Sequence, residues 1–288
     1  MAIVYDDLMR LDLPEREFSY TERDTMLYAL SVGMGHDPLD LDDLPFVYEK
    51  GLQALPSQAT VIAWDDSWTA RTGINFVMVV HGEQRITLHQ PLAPSGRVTS
   101  KVRIKDAFDK GAGKGAVLLV ENNLRDAASG APIATLLSTV FARGDGGFGG
   151  PERGPEDGPP KPHQIPDRAP DIGVTAKTQP NQALFYRLCG DRNPLHADPA
   201  FAKAAGFPRP ILHGLCTYGH AVRAVVKAAC DHDPSRVTHI AARFTAPVFP
   251  GETIHTEIWR DGKTVSFRAR LTERDVVALD HGRIELRD

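Results

Sequence analysis

Asp191 and His196 are the pair in this chain whose types and spacing suit acid–base chemistry. A carboxylate and an imidazole can exchange protons near neutral pH, and together they can hold one water. They are five residues apart. On a continuous helix of roughly 3.6 residues per turn they would point about 140° apart. Pro194 prevents that helix, because it pushes Asn193 out of the α region and ends any helix arriving from Leu184. A short irregular turn is therefore expected to bring acid and imidazole to one point, where a bound water can be deprotonated and added to something. Further on, Gly214 falls in the first turn of an expected helix. Its backbone N–H has no intrahelical acceptor, and the helix dipole places partial positive charge there. That suits an oxygen that gains negative charge during reaction.

The helix after Pro210 is the clearest positioning element. Leu215, Tyr218, Val222, Val225, Val226 and Ala229 recur at helical spacing. In the first half, Thr21 to Asp24 offer cap candidates for a short helix over residues 25–34, which Gly33, Gly35 and Pro38 end. Residues 36–46 read as an acidic loop, residues 52–62 as strand-like after Pro56, and residues 64–73 as a loop or short helix. From Asn75 the pattern is β: residues 76–80, 85–89, 97–104, 116–121 and 132–142 are successive strand candidates between Gly, Pro, Asn and Asp clusters. Lys110-Gly111-Ala112-Gly113-Lys114 lacks the phosphate-loop pattern and reads first as a hairpin turn. Residues 144–166 hold seven Gly and six Pro in 23 positions, the composition of a linker. They divide the chain into units 1–143 and 167–288. Strand candidates return at 243–247, 252–260, 264–273 and 276–285. Gln90 to Gly96 and Ala246 to Gly251 are both Pro-containing corners that end in Gly and lead into a strand, a weak internal repeat.

The 288 residues are 42% apolar and 24% charged, the composition of an ordinary globular protein. A net charge of −4 gives no footprint for nucleic acid. No apolar run approaches the ~20 residues of a membrane span. Cys189, Cys216 and Cys230 are odd in number, contain no C-x-x-C and follow no signal peptide, so a reducing, cytoplasmic setting is expected. The C-terminal Leu286-Arg287-Asp288 is not a peroxisomal address. His213 and His220 are seven apart with no third ligand at metal spacing, so no metal is expected.

The run from Tyr186 to His196, through Gly190-Asp191-Arg192-Asn193-Pro194-Leu195, resembles the signature of the hydratase 2 family, the MaoC-like (R)-specific enoyl-CoA hydratases. Pro210-Ile211-Leu212-His213-Gly214-Leu215-Cys216-Thr217-Tyr218-Gly219 is similar to the same family. So are Asp24 to Leu30, Val47-Tyr48-Glu49, Gly73 to Phe76, His81-Gly82-Glu83-Gln84 and Gly146 to Gly150 in the first half. The resemblance implies an α+β double hot-dog fold, each unit a curved antiparallel sheet wrapped around a central helix. It implies reversible syn addition of water to trans-2-enoyl-CoA. Asp191 would exchange a proton with C2, His196 would deprotonate the water, Asn193 would help hold it, and Gly214 N–H would carry the enolate-like thioester oxygen. Tyr186, His213, Glu49, His81 and Glu83 match polar positions of the family and are candidate substrate contacts, and Lys110 or Lys114 could reach a CoA phosphate. No cofactor is implied, since the CoA thioester is the substrate, and the family implies a homodimer. The first half lacks Gly-Asp-x-Asn-Pro-x-His, so it is expected to hold the acyl chain rather than to react. Other readings are a dehydratase of a branched or sterol-derived acyl-CoA, a thioesterase on the same fold, and a non-catalytic acyl-CoA-binding module.

Overall fold

The structure, a computed structural model, describes residues 3–153 and 161–287. Of the expected linker, residues 154–160 lie outside the described residues. Ten strands form among the described residues: β1 (Arg16–Tyr20), β2 (Val79–Leu88), β3 (Gly96–Asp109), β4 (Ala116–Asp126), β5 (Pro132–Ala142), β6 (Ile172–Lys177), β7 (Val237–Phe244), β8 (Thr253–Asp261), β9 (Thr264–Leu271) and β10 (Val276–Leu286). They make one sheet in the order β1-β3-β4-β5-β2-β7-β10-β9-β8-β6. Every described pairing is antiparallel. The order reads the same from either edge inward: first strand, third, fourth, fifth, then second of each half. The corners at Gln90 to Gly96 and Ala246 to Gly251 both join the second strand of a half to its third. The two halves meet where β2 pairs β7, with Ile86 opposite Ile240 and both fully buried.

Seven α-helices accompany the sheet among the described residues. They are α1 (Tyr5–Met9), α2 (Glu22–Ser31), α3 (Leu44–Val47), α4 (Ala59–Ile62), α5 (Gln182–Tyr186), α6 (Pro199–Ala204) and α7 (Gly214–Ala229). Twelve of the sixteen residues of α7 are buried. A helix apolar nearly all round must run through a core, and α7 packs against β6, β8, β9 and β10. One buried cluster spans Tyr28 and Ile86 of the first half, α7, and Phe267 and Ile284 of the second. A second cluster, with Leu8, Ile104 and Leu118, seats α1 against β3 and β4.

Several expected elements differ. Residues 52–62 are not a strand: Pro56–Gln58 is a 3-10 turn that runs into α4. Every residue from Ala54 to Ala63 is buried, so no periodicity could separate helix from strand, and Pro56 sits at a helical start rather than before a strand. Phe76–Met78 is likewise a 3-10 turn, capped by the Asn75 side chain, and β2 starts only at Val79. The strand expected at 243–247 is β7, which runs earlier, over Val237–Phe244. Edge strands β1 and β6 carry too few apolar residues to stand out in sequence.

Candidate active site

The turn that carries Asp191 and His196 is built by side chains folding back on their own backbone. Asn193 Oδ1 accepts from Leu195 N–H at 3.0 Å and caps the 3-10 turn Pro194–His196. Asp191 Oδ1 accepts from Asn193 N–H at 2.9 Å. Such local bonds are the habit of Asn and Asp at turns. They leave Asp191 Oδ2 facing His196 Nε2 at 4.0 Å. That gap is too long for a direct hydrogen bond and suits one water bonded to both. Gly190 allows the approach of this loop to the first half, because a Cβ there would lie 2.8 Å from Trp64 Cβ.

Two further contacts fix the imidazole. His196 Nδ1 lies 2.9 Å from the Ile211 carbonyl, which can only accept, so the Nδ1 proton is donated there and Nε2 keeps its lone pair. The ring stacks on His213, centroids 3.7 Å apart and planes 26° apart. His213 Nε2 donates to the Asp191 carbonyl at 3.1 Å, and Tyr186 packs behind it at 4.9 Å. Asp191, His196 and His213 have possible ligand atoms within 4.8 Å of one another. Of these, His213 Nε2 is already engaged by the Asp191 carbonyl.

Burial tunes the pair. Desolvation raises the Asp191 carboxyl above its ordinary range, against the pull of His196. Desolvation lowers the His196 imidazole, against the pull of Asp191. An acid raised and a base lowered are brought closer in proton affinity, so passing a proton between them costs less. The Cys189 thiol is pushed up to about 11 by burial, which makes it a poor nucleophile.

Both residues open on a cavity of about 490 Å³ between the halves. Gly214, the first residue of α7, is on its wall. A Cβ at Gly214 would come 3.0 Å from the Phe244 ring, so glycine is set there by space as well as by the bare N–H. The first half supplies Trp64, Trp68, Phe76, Val79 and Val140 to the wall.

Asp191, Asn193, His196, His213, Gly214 and His81 thus come together as the sequence suggested. Others do not. Tyr186 is fully buried behind His213 and does not reach the cavity. Glu49 is exposed in the loop after α3, away from the wall. Glu83 sits on the opposite face of the sheet, paired with Arg85 and with Arg243 at 2.9 Å. A β-bulge at His81 and Gly82 is the cause, since one extra residue reverses the alternation and turns His81 and Gln84 inward and Glu83 outward. Lys110 and Lys114 lie on the β3–β4 turn outside the cavity wall, and Lys110 Nζ is taken up by the Glu152 carbonyl at 2.8 Å. Asp198 caps α6 through Ala200 N–H at 2.8 Å. Residues the sequence reading missed include Phe244, Asn122, Ser138 and the Ile211 carbonyl. The one available signal was Trp64 and Trp68, two large aromatics in an otherwise polar stretch.

Comparison with known proteins points the same way. Residues 18–144 match the model of the MFE-2 hydratase 2 N-terminal domain, and residues 161–281 that of the MaoC-like domain. The chain is 40% identical to a protein named enoyl-CoA hydratase 2, peroxisomal, from Arabidopsis thaliana, over 95% of this chain and 93% of that one. It is 44% identical to 3-hydroxyacyl-thioester dehydratase Y of Mycobacterium tuberculosis, covering 93% of each. The solved structure of a MaoC-like dehydratase from Phytophthora capsici aligns with a TM-score of 0.85 at 35% identity, over 98% of each chain.

Proposed function

The chain belongs to the MaoC-like hydratase 2 family, and on that premise we propose that it adds water reversibly to trans-2-enoyl-CoA, giving the (R)-3-hydroxyacyl-CoA. It is a hydro-lyase of the double hot-dog type. The observation that carries the mechanism is the 4.0 Å gap between Asp191 Oδ2 and His196 Nε2. A water there loses a proton to Nε2 as its oxygen bonds to C3. The Gly214 N–H, at the positive end of α7, receives the thioester oxygen as charge develops on it. The Asp191 carboxyl gives its proton to C2, and the proton on His196 then returns to Asp191. Hydroxyl and proton leave from the same short turn, so both reach one face of the double bond and addition is syn. Asn193 lies on the wall with its carboxamide oxygen already taken by Leu195, so only its amide nitrogen is left to orient the water. The chain itself supplies acid, base and oxyanion donor, so the reaction calls for no cofactor or metal.

We assign the acyl chain to the valine- and aromatic-lined part of the cavity from the first half, which gives that half its role. The working form is a homodimer, supported by the exposed Leu30, Leu39, Leu41, Leu184, Phe185 and Leu188 around α2 and α5. A monomer mass by light scattering at micromolar concentration would reject it. Among the described residues no helix is long and apolar enough to cross a membrane. Three free cysteines support a reducing compartment, and we place the protein in the cytoplasm; a fluorescent fusion collecting in peroxisomes would overturn that.

The test is loss of conjugated-enoyl absorbance with crotonyl-CoA and a C10 trans-2-enoyl-CoA, followed by chiral analysis. Pure (R)-3-hydroxyacyl-CoA is expected. The (S) product, or no turnover by folded protein, would reject the assignment.

A further inference from the structure

The sheet carries a second hollow, of about 290 Å³, on the face turned away from Asp191 and His196. It lies over the seam where β2, β7 and β10 run side by side. Alternation along β2 sends Gln84 to the first cavity and Glu83 and Arg85 to this one. Arg85 and Arg283 both stand opposite Ala241, one from each neighbouring strand. Their backbones are therefore about 10 Å apart, with only a methyl group between the side chains. An extra residue in β10 at His281 and Gly282 sets this register, since it brings Arg283 rather than Gly282 opposite Ala241. The segment Lys161-Pro162-His163 lines the hollow from outside the sheet and is pinned there. His281 Nδ1 donates to the His163 carbonyl at 2.7 Å, and His163 Nε2 lies 2.7 Å from Ser266 Oγ.

The charges of this wall do not cancel. Glu83 is shared by Arg85 and by Arg243 at 2.9 Å, and Arg283 Nε meets Glu285 at 2.5 Å. Lys161 is a fourth cation, so two positive charges are in excess, in a chain whose net charge is −4. The histidines of the wall report that field. Burial first, then Arg85 and Arg283, hold the His239 imidazole below its ordinary value, and burial and then Arg283 do the same to His163. Cations gathered in a concave, partly dried surface attract an anion more strongly than the same charges spread in water. Guanidiniums narrow the choice of anion, because their planar forks fit the oxygens of a carboxylate or a phosphate. An excess of two charges matches a phosphate dianion rather than a single carboxylate.

We propose that this hollow is a second ligand site, which binds a phosphate or diphosphate group between Arg85 and Arg283 with Lys161 as the third cation. It lies across the sheet from the cavity of Asp191 and His196 and does not rest on the hydratase reading.

The experiment is isothermal titration of the full chain with inorganic phosphate, pyrophosphate and ADP at about 50 mM salt, where charges are less screened than at physiological strength. Saturable binding of at least one, with a Kd below about 1 mM, is expected. Arg283→Gln removes one cation and leaves Glu285 bonded to Thr264 Oγ1 at 2.9 Å. It is expected to weaken binding about ten-fold with an unchanged circular dichroism spectrum. Lys161→Gln, on the segment outside the sheet, is read the same way and serves if the first variant fails to fold. Tighter binding of ADP than of pyrophosphate assigns the group to a nucleotide; no tighter binding assigns it to the free ion. No saturable binding of any of the three overturns the site. Binding that both variants leave unchanged places the ligand elsewhere and overturns it too. Light scattering at the same protein concentration completes the test. A dimer that Arg283→Gln separates into monomers would mean that a second copy occupies the hollow, and the inference fails.

Discussion

Asp191 and His196 are placed to act as a pair because each has one polar atom tied back and one left over. Asp191 Oδ1 accepts from Asn193 N–H and His196 Nδ1 donates to Ile211, so Oδ2 and Nε2 are the atoms that can share a water. Asp191→Asn keeps the tie to Asn193 and removes the proton donor. It is expected to fold normally and to lose about 10²–10⁴-fold in kcat, as is His196→Gln. Matching circular dichroism with near-normal turnover in either would refute the site. Gly214→Ala tests the oxyanion donor by geometry. The new methyl would sit 3.0 Å from Phe244, so the ring or the start of α7 must shift by a few tenths of an ångström. A loss of about ten-fold in kcat with little change in thermal midpoint is expected, since a misplaced donor costs part of what a missing one does. Unchanged kcat would move the oxyanion role elsewhere.

At the scale of elements, two devices aim these residues. The bulge at His81 and Gly82 reverses the alternation of β2, and a Cβ at Gly82 would come 3.2 Å from the Thr139 carbonyl. The second device is α7, which presents its N-terminus to the cavity while the rest of the helix is locked in the core. Gly219 is the point of closest approach: a Cβ there would stand 2.5 Å from Val32 Cγ1 and 2.9 Å from Tyr28 Oη. Gly219→Val is therefore expected to lower stability by about 1–3 kcal/mol through overpacking. Urea denaturation would reveal this as a lower midpoint at unchanged slope, and an unaffected midpoint would mean that α2 can move aside.

At the scale of the molecule, the β2–β7 pairing closes the cavity between two halves, and Ile86 against Ile240 is its centre. Ile240→Ala is expected to cost about 2–5 kcal/mol. Both halves should lose stability in a single transition, because one buried cluster runs through them; two separated unfolding transitions by calorimetry would contradict that. Acid should act on the whole fold too. Burial holds His81 at about 4 and His220 at about 3, against 6.5 for the free side chain. Both stay neutral in the fold while the unfolded chain takes up protons below that value. Stability is therefore full above pH 6.5 and falls as pH drops. Each of the two contributes a loss of about 2 kcal/mol between pH 6.5 and 5. Thermal midpoints at pH 7.5, 6 and 5 check the slope, and a flat profile would mean that these rings find protonated-state partners.

The acid–base pair of the turn and the bonds that shape it are legible in the chain. Asp191, Asn193, Pro194 and His196 build it through bonds to their immediate neighbours, and α7 declares itself by apolar spacing, so both are legible locally. The antiparallel strand pattern and the repeated corner are legible for the same reason. Which polar residues of the first half face the cavity emerges only from the folded sheet. His81 and Glu83 are two apart and of like polarity, and only the register between β2 and β5 sends one inward and the other to Arg85 and Arg243. Glu49 and Tyr186 matched a pattern but lie off the wall, because matching residue types carry no information about burial or facing, and Lys110 and Lys114 stay on the hairpin turn that their segment first reads as. Buried segment 54–63 was illegible as helix because full burial erases the periodicity from which secondary structure is read. Which side chain faces the cavity is set by contacts between strands far apart in the chain, and those exist only once the sheet has formed.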